Sequence, residues 1–174
     1  APYRRLKETL NNAELYTDII EQLIRRMRLI KTPFEIEKIR QAQQLIDYGF
    51  NFILTRIKKG RSERELAIEL EFAIRKQGAQ AAAFDFIVLS GENTSMPHGV
   101  PGERTIKNGY FLLMDFGAVV DGWCSDMTRT VAIGTCSDEQ RNVYQTVLTA
   151  QLAALSALRA GLSCADGDAA ARNV

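Results

Sequence analysis

The fold of this chain is decided by residues 111–130, FLLMDFGAVVDGWCSDMTRT. Asp121-Gly122 is a hairpin turn signal, and the residues on both sides of it are apolar or favour strands. Because strand side chains alternate between faces, a hairpin with this two-residue turn places Asp115 and Asp126 on the same face. We expect the two carboxylates to lie directly opposite each other or one diagonal step apart, with about 5–8 Å between their β-carbons.

The aspartate pair has two interpretations. Asp115 shares its strand face with Phe111 and Leu113, so the pattern predicts a carboxylate that is largely withdrawn from water. Two close carboxylates in apolar surroundings repel each other and lose hydration, which is costly unless a proton or a cation compensates. A divalent metal would meet both costs. From the spacing alone, a metal site and a structural ion pair or turn cap are equally good interpretations, although Arg129 is a poor partner because it lies on the face opposite Asp126.

The bulk composition excludes several classes of protein. With 174 residues, 46% of them hydrophobic, the chain is long enough for one domain with a buried core. Its 22 Lys and Arg residues nearly balance 21 Asp and Glu residues, which argues against a nucleic-acid partner. No apolar run reaches membrane-spanning length, no signal peptide is recognisable, and the three cysteines are scattered. We therefore expect no membrane partner and a cytoplasmic location.

Helices are predicted before and after the hairpin. Apolar residues recur at helical spacing over four segments: residues 1–30, 32–59, 62–78 and 137–159. Thr32, Ser62 and Ser137 are the predicted N-caps, and a last helix begins near Ala165. Residues 84–89 read as a buried strand, followed by a loop over 90–95 and a second loop over 96–109. Segment 137–159 carries more apolar surface than one sheet face needs, so we expect further chain or a second subunit to cover it.

Several motifs resemble one family when they are taken together and in order: Pro97-His98-Gly99, Ile106–Gly109, Met114–Gly117 and Gly122–Thr130. They are similar to the metallopeptidases with the pita-bread fold, which include aminopeptidase P, prolidase and methionine aminopeptidase. The similarity is greatest to the Xaa-Pro aminopeptidase and prolidase branch, which residues 30–39 and 143–151 also resemble.

The resemblance implies an α+β pita-bread fold, with helices packed on a curved, mostly antiparallel sheet. Residues 31–174 would then be the N-terminal portion of a catalytic domain, and residues 1–30 the tail of, or linker from, a preceding domain. In that family, two divalent metals share two aspartates, one histidine and two glutamates as ligands. The aspartates match Asp115 and Asp126, and His98 matches the substrate-side catalytic histidine. The other three ligands would lie beyond residue 174.

The implied activity is metal-dependent hydrolysis of the peptide bond that precedes proline, with this chain inactive by itself. Carboxylate-rich ligation favours manganese, with cobalt or zinc as alternatives. The implied partner is a peptide substrate with proline after the scissile bond, and the full-length protein is expected to be a homodimer. The alternatives are a methionine aminopeptidase, a non-catalytic peptide-binding or protein-binding member of the fold and, more distantly, a creatinase-like C–N hydrolase. Retention of His98, Asp115 and Asp126 favours an enzyme.

Overall fold

The computed structural model describes residues 17–174, so the first half of the helix expected over residues 1–30 lies outside the described range. Within that range the chain forms five α-helices, one short 3-10 helix and six strands. In chain order they are α1 (Thr17–Leu29), α2 (Pro33–Leu54), α3 (Glu63–Lys76), β1 (Ala81–Ala82), β2 (Ile87–Ser90), the 3-10 helix (Gly91–Ser95), β3 (Tyr110–Phe116), β4 (Ala118–Val120), β5 (Trp123–Cys124), β6 (Met127–Ile133), α4 (Asp138–Ala157) and α5 (Cys164–Arg172). None of the described helices combines the length and hydropathy needed to cross a membrane.

Three helices begin at the predicted caps. The hydroxyl groups of Thr32, Ser62 and Ser137 each accept a hydrogen bond from the backbone N–H three residues later, and the side chain at that later position accepts one from the cap N–H. These reciprocal bonds satisfy backbone donors that have no partner within the helix. The sequence therefore predicted these three helix starts correctly.

Helix α2 ends five residues before the predicted boundary at Lys59. It stops at Leu54, with Thr55 as its C-cap, and the chain pairs with a distant segment five residues later. The backbone N–H of Gly60 donates to the carbonyl of Ile106 at 3.0 Å, and the N–H of Ile106 donates to the carbonyl of Arg61 at 2.8 Å. This pairing also connects Ile106, which follows the loop that contains His98, to the segment just before α3.

The hairpin forms as predicted. Strand β3 pairs antiparallel with β6, and β4 pairs with β5 in the same register, so that Val120 lies opposite Trp123. Asp121 and Gly122 close the turn with φ angles of 49° and 81°, the left-handed values that such two-residue turns need. Within the described residues the strands make two three-stranded antiparallel sheets, ordered β1-β4-β5 and β2-β3-β6.

The segment before the hairpin differs from its prediction. The strand expected over residues 84–89 begins only at Ile87 and continues to Ser90, and the loop expected over 90–95 contains a 3-10 helix at Gly91–Ser95. Gly91 turns the chain with a φ of 57°, and a side chain there would collide with the ring of Tyr110. The strand therefore ends where the glycine redirects the backbone.

The core lies on one face of the β2-β3-β6 sheet. Alternate residues of β3 (Leu112, Met114 and Phe116) are fully buried against apolar residues of α2 and α3. The other face of β3 carries Phe111, Leu113 and Asp115, which are only half-buried. One face of the sheet is thus part of the core. The opposite face, which carries Asp115 and which we call the aspartate face, is open to solvent.

Helix α4 contacts the face of β3 that carries Asp115, and many of its apolar side chains are exposed. The ring of Tyr144 lies 6.1 Å from that of Phe111, measured between centroids. Five further apolar side chains of this helix segment are more than half exposed: Val143, Val147, Leu152, Leu155 and Leu158. This exposure agrees with the excess of apolar surface noted in the sequence, and its covering stays a prediction.

We expect the 174-residue chain to self-associate in solution, because an exposed apolar stripe of this length is unfavourable in water. Replacing Val147 and Leu155 by lysine should shift sedimentation-velocity profiles toward the monomer. The control is the pair Gln145→Lys and Thr149→Lys, which adds the same charge at polar positions of α4 and should leave association unchanged. A wild-type chain that stays a compact monomer at every concentration would contradict the prediction.

Candidate metal centre

A cleft of about 580 Å3 opens on the aspartate face of the β3–β6 ladder. His98, Asp115 and Asp126 all line it, together with Phe84–Ile87 and Pro97–Pro101. The structure therefore brings together in one cleft the three residues that the sequence analysis singled out.

The strand register places the aspartates one diagonal step apart. Asp115 lies opposite Thr128, and Asp126 precedes Thr128 by two residues on the same strand face. This is one of the two arrangements that the turn predicted. Asp115 is partly buried, whereas Asp126 and Thr128 are exposed, because this part of the sheet face is open to solvent.

The backbone beside Asp126 is fixed by its neighbours. Ser125 is buried, and its hydroxyl donates to the carbonyl of Ala42 in α2 at 3.0 Å while accepting from the N–H of Ala118 at 3.1 Å. A β-carbon on Gly117 would come within 2.1 Å of the carbonyl oxygen of Ser125, so only glycine permits this close approach. Asp126 is consequently attached to a rigid segment although its side chain is exposed.

The two carboxylates disfavour each other's negative charge. Although the side chain of Asp126 is exposed, partial loss of hydration at its carboxyl group raises its pKa above the usual value, and the charge of Asp115 and a hydrogen bond between the two carboxyl groups raise it further. The hydroxyl of Thr128 donates to Oδ1 of Asp115 at 2.9 Å. Among residues 17–174, no N–H group donates to either carboxylate. A bound proton or cation would therefore be needed to reduce the repulsion between the two carboxylates.

These carboxylates suit part of a metal's coordination shell. Ionised aspartates provide the hard oxygen ligands that divalent cations such as magnesium and manganese prefer. In the described part of the chain, however, no group of three or more His, Cys, Asp or Glu side chains is arranged to hold a metal ion. The aspartate pair alone is therefore not a complete metal site within the described residues.

His98 lies in an exposed loop at the rim of the cleft. The adjacent Gly99 rests directly on β2, where an added β-carbon would come within 2.6 Å of Cδ1 of Leu89. A side chain at position 99 would therefore lift the loop away from the strand. The exposed imidazole lines the cleft and is accessible to a ligand.

Sequence reasoning missed Glu63, the first residue of α3. Its side chain is completely buried, and its carboxylate accepts hydrogen bonds from Ser90, Asn93 and Gly102. In the sequence it is an ordinary acidic residue of a first helical turn, next to the Ser62 cap. No local signal marks it, because its partners lie 27 to 39 residues further along the chain.

The chain belongs to metallopeptidase family M24, whose family model matches residues 37–174. It is 39% identical over 171 residues to the uncharacterized peptidase YqhT of Bacillus subtilis (strain 168), a match that covers 98% of this chain and 48% of that protein. The chain spans about half the length of the curated relatives it matches.

Solved structures show the same relationship. The chain is similar to an Xaa-Pro dipeptidase from Bacillus anthracis, with 46% identity and a TM-score of 0.85 over 87% of this chain and 42% of that one. It is also similar to a recombinant prolidase from Thermococcus sibiricus, with 35% identity and a TM-score of 0.90 over 99% of this chain and 47% of that one. These matches confirm the predicted α+β pita-bread fold and the predicted family.

In the metal-free protein, we expect Asp126→Asn to raise the free energy of unfolding at neutral pH by less than about 1 kcal/mol, since exposed charges are screened. The raised pKa in the folded state means that the wild type loses stability as the pH rises through that pKa. The increase in the free energy of unfolding caused by Asp126→Asn should therefore disappear as the pH falls below the pKa of an aspartate in the unfolded chain, about 3.9. Urea unfolding in chelator across this pH range measures the effect.

Asp121→Asn is the matched control for this experiment. A hydrogen bond from Lys38 and its positive charge lower the pKa of Asp121. Asp121→Asn should therefore decrease the free energy of unfolding at neutral pH. Asparagine also tolerates the left-handed backbone at this position. If Asp126→Asn instead destabilises the metal-free protein at neutral pH, the account of repulsion is wrong.

We also expect Thr128→Val to weaken Mn2+ binding by the full-length gene product roughly tenfold, at the low end for a residue that orients a ligand. Valine keeps the β-branched shape but removes the hydroxyl that holds Asp115. Thr130→Val, at the next position on the same face, should leave the affinity unchanged. Calorimetric titration measures both, and equal affinities for the two variants would contradict the orienting role.

Proposed function

We propose that the full-length protein containing this chain is a metal-dependent peptidase that hydrolyses the bond preceding proline, of the Xaa-Pro dipeptidase or aminopeptidase type. The observation that carries the proposal is the convergence of His98, Asp115 and Asp126 in one cleft. The names of the similar solved structures, an Xaa-Pro dipeptidase and a prolidase, support the same activity. The expected homodimer and cytoplasmic location stay predictions.

Asp115 and Asp126 would hold two divalent cations, with manganese as the expected metal and cobalt or zinc as alternatives. When bound, such cations supply Lewis acidity toward a scissile carbonyl and lower the pKa of a coordinated water. Thr128 fixes the orientation of Asp115 through its hydroxyl. His98 would donate a hydrogen bond to the substrate near the scissile peptide, stabilise developing charge or transfer a proton.

The cleft also suits an apolar residue beside the scissile bond. Phe84, Val100 and Pro101 contribute apolar surface to the walls of the cleft that Asp115 and Asp126 also line. A peptide bond that precedes proline is a tertiary amide without an N–H group, so its recognition depends on shape and apolar contact more than on hydrogen bonding. These walls therefore favour a proline ring over a polar side chain.

The test is turnover by the full-length gene product on an Xaa-Pro dipeptide, a longer Xaa-Pro peptide, the same peptides with alanine replacing proline, and a peptide that begins with methionine. We expect the proline peptides to be cleaved fastest, chelation to abolish activity and Mn2+ to restore it. Faster cleavage of the methionine peptide would instead indicate a methionine aminopeptidase. Peptide binding without turnover and without any effect of chelator would indicate a binding module.

We expect Asp115→Asn and Asp126→Asn to reduce activity to background, because each removes a charged ligand. His98→Ala should lower kcat/KM by about 10²–10³-fold, as for other groups that stabilise charge in the transition state. Asp121→Asn, the same chemical change in the hairpin turn, is the control and should retain activity. Full activity of His98→Ala would remove His98 from the mechanism.

The 174-residue chain alone should bind divalent metal weakly and hydrolyse none of these peptides, because its described residues bring just two candidate carboxylate ligands together. Metal titration and a prolonged peptidase assay of the purified chain measure this. Robust metal-dependent turnover by the chain would contradict the assignment of further ligands beyond residue 174.

A further inference from the structure

The buried carboxylate of Glu63 joins the two ends of one loop. We call residues 91–105 the His98 loop. Just before the loop, Ser90 donates to Oε1 of Glu63 through its N–H at 2.7 Å and its hydroxyl at 3.0 Å. Within the first turn of the loop, the side-chain amide of Asn93 donates to the same oxygen at 3.2 Å. At its end, the N–H of Gly102 donates to Oε2 at 3.2 Å. His98 lies midway between these two anchored ends.

The backbone at the start of α3 reinforces the same connection. The N–H of Glu63 donates to the carbonyl of Arg104, and the N–H of Arg64 donates to the carbonyl of Gly102, both at 3.0 Å. One residue thus binds the loop through its side chain and through its backbone. The loop is held at the beginning of a helix that is itself fixed by the Ser62 cap.

Apolar packing alone does not explain the position of this loop. Val100 is 83% exposed and Met96 is 42% exposed, so neither anchors the loop in the core. The contact of Gly99 with Leu89 supports the middle of the loop but does not fix its ends. The polar bonds to Glu63 therefore constrain where the ends lie, together with the pairing of Ser90 in β2 and the backbone bonds of Ile106.

The chemistry of the site requires a carboxylate. Every partner that Glu63 contacts there is an N–H or O–H donor, and an ionised carboxylate is purely an acceptor. Hydrogen bonds to a charged acceptor are stronger than neutral ones, and they compensate for burying the charge. An amide of the same shape keeps one acceptor oxygen but would place its NH2 group where Oε2 accepts from Gly102 and Asn93, so that donors would face donors there.

We propose that Glu63 is a positioning residue for His98: it fixes both ends of the His98 loop and so holds the imidazole at the cleft shared with Asp115 and Asp126. The catalytic consequence rests on the proposed function, whereas the structural consequence does not. A measurement on the loop can therefore be separated from a measurement of activity.

The decisive variant is Glu63→Gln, and its matched control is Glu65→Gln on the same helical turn. The carboxylate of Glu65 accepts from the N–H of Ser62 at 2.8 Å and makes no hydrogen bond to the His98 loop in the described structure. Glutamine can keep that capping bond. The two variants therefore change the same chemical group, with and without contact to the loop.

The first readout is amide hydrogen exchange in the full-length gene product. In Glu63→Gln we expect exchange in the His98 loop to accelerate tenfold or more, while α2 keeps its wild-type protection. The second readout is the NMR spectrum of the His98 imidazole, whose signals are identified as those that disappear in His98→Ala. Its signals should move toward those of a free histidine in Glu63→Gln and stay at wild-type positions in Glu65→Gln.

Asn93→Ala is the second variant, and it decides the matter if Glu63→Gln fails to fold. It removes only the loop's amide donor to Glu63, and we expect the same changes in loop exchange and in the His98 signals at smaller amplitude. Wild-type exchange and wild-type His98 signals in the variants that fold would overturn the proposal.

The catalytic arm uses the full-length gene product. There Glu63→Gln should lower kcat tenfold or more with little change in KM or in Mn2+ affinity, because the aspartate pair is untouched. Unchanged kcat beside a loosened loop would overturn the catalytic part of the proposal. A loosened loop in a protein whose wild type cleaves no Xaa-Pro peptide would support the positioning role and contradict the proposed function instead.

Discussion

Two carboxylates held side by side on neighbouring strands are the constraint on which the rest of this structure depends. The turn at Asp121-Gly122 sets the register, and the register leaves Asp115 and Asp126 no way to separate. Partial desolvation and the neighbouring charge of Asp115 both raise the pKa of Asp126, so the metal-free fold keeps an unfavourable interaction in the cleft. Such an arrangement persists only because packing elsewhere holds the strands in place.

That packing lies on the opposite face of the sheet. Leu112, Met114 and Phe116 are buried against α2 and α3, which fixes β3, and the hydroxyl of Ser125 ties the segment before Asp126 to α2. The aspartate face contributes little to the core and is free to carry charge. The position of His98 depends instead on the buried carboxylate of Glu63, which binds both ends of a loop that has few apolar contacts. In the cleft, the β3–β6 ladder thus fixes the two aspartates, and hydrogen bonds to Glu63 fix the loop that carries His98.

The features that could be predicted from the sequence are local ones. The two-residue turn and the capping residues Thr32, Ser62 and Ser137 act within four residues of their partners, so their consequences follow from short motifs. The shared face of the aspartates follows from strand alternation once the turn is known. The features that could not be predicted depend on distant contacts: the burial of Glu63 and the solvent exposure of Asp126 are decided by segments far away in the sequence.

The most direct test of the central claim is an anomalous difference map from crystals of the full-length gene product grown with Mn2+. We expect peaks within about 2.0–2.6 Å of the carboxylate oxygens of Asp115 and Asp126, in the range of oxygen ligands to hard divalent cations. A map without a peak there, with the two carboxylates sharing a proton or paired with a basic side chain, would contradict the account.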